Sequence, residues 1–184
     1  MLSDDEGKKL ISYARNSIKS KFKKDNTNSN IDINGFDSKQ GCFVSLHKQG
    51  ELRGCIGFPE PVLPLKDAIF EAAQSAAFND PRFSPITESE LDEIELEISV
   101  LTVPKLIKTK SPEEYLNKIK IGEDGLIIRT NFSSGLLLPQ VFTEYNCTPK
   151  DALEMLCEKA GLSKDSWKDA DSKIFKFQAQ IFSE

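Results

Sequence analysis

Gly41-Cys42-Phe43-Val44-Ser45-Leu46-His47-Lys48-Gln49-Gly50-Glu51-Leu52-Arg53-Gly54-Cys55-Ile56-Gly57 reads as two strands joined by a turn. Cys42, Val44 and Leu46 alternate with Phe43, Ser45 and His47. Leu52, Gly54 and Ile56 alternate with Arg53, Cys55 and Gly57, the two-residue period of a strand. Lys48-Gln49-Gly50 suits a three-residue turn with Gly50 in the left-handed conformation. Such a turn sets 47 opposite 51, 46 opposite 52, 45 opposite 53 and 43 opposite 55. Cys42, Val44 and Leu46 then share an apolar face with Leu52, Gly54 and Ile56, while Phe43, Ser45 and His47 share the other face with Glu51, Arg53 and Cys55. A slip of one residue would mix the two sets.

On the N-terminal side, Ser3 and Glu6 form a capping box. Leu10, Ala14, Ile18 and Phe22 recur every four residues, which predicts an amphipathic helix over 4–23. Asp4, Asp5 and Glu6 at its start and Lys19, Lys21, Lys23 and Lys24 at its end complement the helix dipole. Residues 25–40 are rich in Asn, Ser, Asp and Gly and read as a loop, with or without a short strand in it. On the C-terminal side, Pro61 and Pro64 lead into a helix over 65–79, whose stripe of Leu65, Ala68, Ile69, Ala72, Ala73 and Ala76 allows close approach to a sheet. Pro81 keeps Asp80 out of helical geometry, so 79–83 is a structured turn. Thr87 and Glu90 form a second capping box that opens a single helical turn.

Residues 94–103 alternate as a half-buried strand, ended by Pro104, and 174–182 alternate as the last strand. The block between them has elements of its own. Ser111-Pro112-Glu113-Glu114 starts a short helix. Ile119 and Ile121 read as a hairpin with Leu126, Ile127 and Ile128 across a Gly122–Gly125 turn. Leu136-Leu137-Leu138 adds a strand, Gln140–Tyr145 a helix, and Thr148-Pro149 a capped helix that closes at Gly161. The elements therefore read as one domain, 1–184, made of two unequal lobes. The large lobe is 1–103 plus 173–184, and the small lobe, 104–172, is inserted in it.

Composition narrows the function classes. A chain of 184 residues buries roughly 70% of the surface that its unfolded form exposes. It needs no structural metal or disulfide framework. With 39% apolar residues and 12 Phe it is not a disordered chain, and no apolar run is long enough to span a membrane. The charge sum is 24 − 29 = −5, the wrong sign for a domain that grips phosphate backbones, so nucleic acid is disfavoured. Asp4, Asp5 and Glu6 stand where the apolar stretch of a secretory leader would be. Cys42, Cys55, Cys147 and Cys157 contain no Cys-x-x-Cys pair, which points to reduced thiols and a cytoplasmic protein. One histidine and scattered cysteines give no metal-ligand cluster. There is no phosphate loop or dinucleotide fingerprint, so neither a metal nor a cofactor is expected.

The candidate site is Leu52-Arg53-Gly54-Cys55-Ile56-Gly57. Strands avoid glycine, and two glycines flanking a cysteine mean either that a neighbouring group packs very closely or that a ligand approaches the backbone. Cys55 as a nucleophile needs a base or a local positive charge. In the register above, His47 lies about 13 Å further along the neighbouring strand, at about 3.3 Å per residue. Arg53 is two positions from Cys55 on the same face, roughly 7 Å away. Arg82 follows Asp80-Pro81 and either braces that turn or binds a carboxylate, a phosphate or a partner's backbone. Gln140, after Pro139, either caps its helix or faces a cleft.

Several segments together resemble one family. They are Gly41-x-Phe43-Val44-Ser45-Leu46, Leu52-Arg53-Gly54-Cys55-Ile56-Gly57, Asp80-Pro81-Arg82-Phe83, Gly135-Leu136-Leu137-Leu138-Pro139-Gln140-Val141, Leu156-Cys157-x-Lys159-Ala160-Gly161-Leu162 and Trp167-Lys168-Asp169. In this order they are similar to the AMMECR domain family, over nearly residues 2–184. Cys147, where the family often has an aromatic residue, and Asn131, where it often has glycine, depart from the pattern. The resemblance implies an α+β fold of two unequal lobes, each an antiparallel sheet with flanking helices, the larger holding both termini, with Leu52–Gly57 facing the cleft between them. It implies no particular reaction, and it points to an association with Memo-type and radical-SAM proteins. The resulting expectation is a binding or adaptor module that engages a protein segment or a small acidic ligand through Arg53, Gly54, Cys55, Ile56, Gly57, Asp80, Arg82 and Gln140. The alternative is an enzyme of a modification pathway, with Cys55 as nucleophile and Arg53 assisting.

Overall fold

The computed structural model describes residues 2–22 and 31–184, which form two compact units: 1–101 with 180–184, and 102–179. Lys23, Lys24 and the first part of the expected 25–40 loop lie outside the described residues.

The first unit begins with α1 (Asp4–Ser20), opened by the expected capping box. The Glu6 N–H donates to Ser3 Oγ at 3.3 Å, and the Ser3 N–H donates to Glu6 Oε2 at 2.7 Å. Strands β1 (Cys42–Lys48) and β2 (Glu51–Phe58), helix α2 (Leu65–Phe78) and strand β3 (Ile94–Leu101) follow. The chain returns at the end with β8 (Ala179–Ser183), giving a sheet of order β2-β1-β3-β8. Val44, Leu46, Leu96 and Ile98 project from one face into a core with Leu10, Ala14 and Ile18 of α1 and Ala68, Ile69, Ala72 and Ala73 of α2. Phe43, Ser45 and His47 point to the other, half-exposed face, as strand alternation requires.

The β1–β2 turn departs from the expected three-residue loop. Gln49 (φ 54°) and Gly50 (φ 81°) both have positive φ, which is the two-residue hairpin turn whose twist matches that of the strands. Lys48 pairs with Glu51 and His47 with Leu52. The register then shifts, and Leu46 pairs with Gly54, Ser45 with Cys55 and Val44 with Ile56. Arg53 is thus the extra residue of a β-bulge. The bulge corrects the parity: Gly54 and Ile56 stay on the side of Leu46 and Val44, while Leu52 turns outward and is 40% exposed. The alternation predicted the faces of 54 and 56 correctly, but it missed that one residue could be absorbed between them and the turn.

The second unit contains β4 (Lys105–Leu106), α3 (Glu114–Lys118), β5 (Gly125–Arg129), β6 (Ser134–Leu137), α4 (Pro139–Glu144), α5 (Pro149–Lys159) and β7 (Lys173–Phe177). Its sheet has the order β4-β7-β5-β6. Leu126, Ile128 and Ile174 pack with Phe142, Leu153, Leu156, Cys157 and Trp167 in a separate core. The hairpin expected between Ile119–Ile121 and Leu126–Ile128 is not formed. The Asp124 carboxylate accepts from the Lys120 N–H (3.0 Å) and Lys176 Nζ (2.9 Å), which folds 120–124 into a turn. β5 pairs instead with β6, through a tip in which Thr130 Oγ1 accepts from the Ser133 N–H at 3.0 Å.

The expected strand 174–182 is two strands in two sheets. Gln178 separates β7 from β8, and it exchanges two bonds with Thr102: the Thr102 N–H to the Gln178 carbonyl and the Gln178 N–H to Thr102 Oγ1, both 2.9 Å. Residues 173–179 therefore belong with 102–172, and the lobe boundaries expected at 103/104 and 172/173 fall at 101/102 and 179/180. The apolar–polar alternation runs unbroken through both strands, so periodicity alone had no means of seeing the change of sheet.

Candidate functional site

β2 is the edge strand of its sheet, and Cys55 lies at its middle, opposite Ser45. Ser45 Oγ donates to Cys55 Sγ at 3.2 Å. Both main-chain polar groups of Cys55 are taken by the Asp80–Arg82 turn. The Cys55 N–H donates to Asp80 Oδ2 at 2.9 Å, and Arg82 Nη2 donates to the Cys55 carbonyl at 3.1 Å. The Asp80 side chain, only 2% exposed, also accepts from the Arg82 N–H (3.1 Å), Nε (3.0 Å) and Nη2 (2.7 Å). The Arg82 guanidinium, with the two backbone N–H donors, holds the Asp80 carboxyl well below the usual carboxylate range despite its burial. Arg82 both braces the turn and remains 54% exposed, its guanidinium 5.3 Å from the centre of the Phe83 ring.

Arg53, displaced by the bulge, does not stand free beside the thiol. Its Nε donates to Glu90 Oε1 (3.1 Å), its Nη2 to Glu90 Oε2 (3.4 Å) and its Nη1 to the Ser84 carbonyl (2.9 Å). Both side chains of the pair are 16% exposed. Glu90 also closes the Thr87 capping box, accepting from the Thr87 N–H at 3.0 Å. That N–H above all, and then Arg53, bring the Glu90 carboxyl down to about 2. Lys48 Nζ lies 3.4 Å from the same carboxylate.

The two glycines have packing reasons. A Cβ at Gly54 would stand 2.2 Å from the Ala76 carbonyl oxygen, so glycine here lets the small-residue face of α2 meet β2. A Cβ at Gly57 would stand 2.2 Å from the Cys42 carbonyl oxygen. Ile56 is half-buried against the first core.

The observed register also moves the histidine. His47 lies two residues, not four, beyond the residue opposite Cys55, roughly 7 Å along the strand, and on the same sheet face. The sequence reading did not single out Ser45 as a partner of Cys55, because a three-residue turn sets Phe43 there. It read Glu90 only as a helix cap, and nothing local in the sequence shows that its carboxylate also receives Arg53. Gln140 belongs to the second unit, at the start of α4, where its carbonyl accepts from Thr143 Oγ1 at 2.7 Å. Among the described residues there is no group of three or more His, Cys, Asp or Glu that could hold a metal ion, and no helix is long and apolar enough to cross a membrane. Of the other thiols, burial pushes Cys42 up to about 12 and also raises Cys157 and Cys147.

The AMMECR1 family pattern matches residues 11–182. The chain belongs to the AMMECR1 family. Protein MJ0810 of Methanocaldococcus jannaschii is 50% identical over 188 residues, which cover all of this chain and 92% of that one. A protein of Methanothermobacter thermautotrophicus is 46% identical, with 100% and 96% of the two chains covered. The crystal structure of the uncharacterized protein PH0010 from Pyrococcus horikoshii is similar with a TM-score of 0.86 and 41% identity, over 100% of this chain and 93% of that chain. The Cys55 clamp, with its Asp80, Arg82 and Arg53–Glu90 supports, is thus set in an AMMECR1 fold.

Proposed function

We propose that this AMMECR1 protein is a binding module that recognises a carboxylate, on a protein segment or a small acid, at the place where Arg82 meets the main chain of Cys55. One observation carries the reading: Arg82 is fixed by Asp80 in three hydrogen bonds yet leaves about half of its side chain to solvent. A guanidinium held in this way loses little freedom when it binds, and its Nη1, which neither Asp80 nor the Cys55 carbonyl takes, is the group that donates to a carboxylate oxygen. Arg53 supports the site rather than meeting the ligand, because its side chain is tied to Glu90 and the Ser84 carbonyl and is far less exposed than that of Arg82. Memo-type and radical-SAM proteins, to which the family resemblance points, are the first partners to screen.

The test is titration calorimetry with acidic peptides, succinate and citrate against wild type and Arg82→Gln. Loss of a charge-assisted contact worth about 1.5–3 kcal/mol weakens binding about ten- to a hundredfold. Equal affinity of the two proteins for every acid tested would sink the proposal. A second reading, with Cys55 as an enzymatic nucleophile, is favoured by the Ser45 hydrogen bond to Sγ and by the nearer His47. Cys55→Ala separates the two: a binding site shows a graded change in affinity, whereas an enzyme loses turnover and keeps its affinity.

A further inference from the structure

Every second residue of an antiparallel edge strand turns its N–H and carbonyl away from the neighbouring strand. On β2, Cys55 is such a residue, because both of its groups are bonded on the open side, to Asp80 and Arg82. Gly57 stands two positions further on, opposite Phe43, and so faces the same way. Among the described residues no bond is made to the outward N–H or carbonyl of Gly57, and the residue is partly exposed. One open main-chain unit therefore stands beside a closed one whose lock carries a positive charge.

That lock fixes what can pair there. An extended chain antiparallel to β2, with one residue opposite Gly57, donates its N–H to the Gly57 carbonyl and accepts at its own carbonyl from the Gly57 N–H. Two residues later it would fall opposite Cys55, where Asp80 and Arg82 already stand, so it cannot run on. A chain that ends opposite Gly57 sets one carboxylate oxygen on the Gly57 N–H and the other towards Arg82 Nη1. A parallel chain would bring its N-terminal ammonium to the guanidinium instead, like charge to like. The last side chain of the antiparallel chain shares a sheet face with Phe43, whose Cδ1 is 2.6 Å from the place of a Cβ at Gly57. We infer that the acid recognised at Arg82 is the C-terminal carboxylate of an extended peptide with an apolar last residue, whose main chain pairs with Gly57. This rests on the carboxylate reading of Arg82 given above and supplies its ligand class.

The full chain is titrated by calorimetry with an acetylated hexapeptide of serine and threonine that ends in leucine. It is used as the free acid, as the C-terminal amide, as the free acid with its last amide nitrogen methylated, and with glycine in place of the leucine. Succinate is run alongside, on wild type and on Arg82→Gln. The peptide comparisons alter the ligand and leave the protein intact. The free acid ending in leucine is expected to bind, and each of the other three forms to bind at least about tenfold more weakly. Amide exchange at the Gly57 N–H should slow at least about tenfold with the free acid bound. If succinate binds and Arg82→Gln abolishes this, while the amide or the methylated peptide binds as tightly as the free acid, the inference is overturned and the carboxylate reading stands. A glycine-ended peptide of equal affinity, or unchanged exchange at Gly57 with the free acid bound, overturns it in the same way. If no acid binds, succinate included, both fall.

Discussion

Replacing Asp80 by Asn tests the clamp on Cys55 most directly. The carboxylate receives four donors, two on each oxygen. An amide keeps one oxygen. If that oxygen stays with the Arg82 N–H and Nε, the new NH2 group faces the Cys55 N–H and Arg82 Nη2, donor against donor. A lost main-chain bond of about 1 kcal/mol and a lost charge-assisted bond of about 1.5–3 kcal/mol set an upper range. Arg82 is half exposed and recovers part of this from water, which leaves about 2–3 kcal/mol. In urea this is a fall in midpoint of about 1–2 M, followed by far-ultraviolet circular dichroism. Amide exchange by mass spectrometry should show the Cys55 N–H exchanging at least about tenfold faster. The pH dependence gives an independent check. The folded-state pKa of Asp80 lies below its unfolded value, so its contribution is complete above about pH 4 and fades as the pH falls through the folded value. The stability gap between wild type and variant must therefore narrow below about pH 4. A gap of the same size from neutral pH to pH 3, or an unchanged Cys55 exchange rate, would refute the reasoning.

Two further outcomes follow from the packing around the same strand. Gly54→Ala sets a methyl group 2.2 Å from a carbonyl oxygen, so strand and helix must separate; a loss of about 1–3 kcal/mol or more is expected in urea unfolding, and a neutral result would mean that α2 does not lie against Gly54. Under native alkylation with iodoacetamide and peptide mapping, half-buried Cys55 reacts first, Cys147 more slowly because burial raises its pKa, and Cys42 and Cys157, both 0% exposed, last; early reaction at Cys42 would contradict the core assignment.

The sequence already exposed the elements whose signals are local. The Ser3–Glu6 box and the Thr148-Pro149 pair mark helix starts, and the alanine stripe of α2 predicted a close contact that Gly54 completes. The failures are of another kind. Gln49 accepts a positive φ that its residue type does not advertise, so the turn lost a residue and the bulge at Arg53 went unseen. A strand pattern does not name its sheet, which is why 174–182 read as one strand. At the candidate site, Cys55, Asp80 and Arg82 were each legible as unusual residues. The bonds that join Cys55 to Asp80 and Arg82 link positions 25 to 27 apart, and only folding reveals them. The Arg53–Glu90 pair, 37 residues apart, is hidden for the same reason.

The Asp80–Arg82 turn also covers the middle of an open sheet edge. An outermost strand offers its unpaired amides and carbonyls to any other extended chain, which is how open sheets recruit copies of themselves into fibrils. On β2 the two groups at the strand's centre are already bonded to a charged pair of the same chain. A newcomer would have to displace a buried carboxylate and a guanidinium to continue the sheet through Cys55.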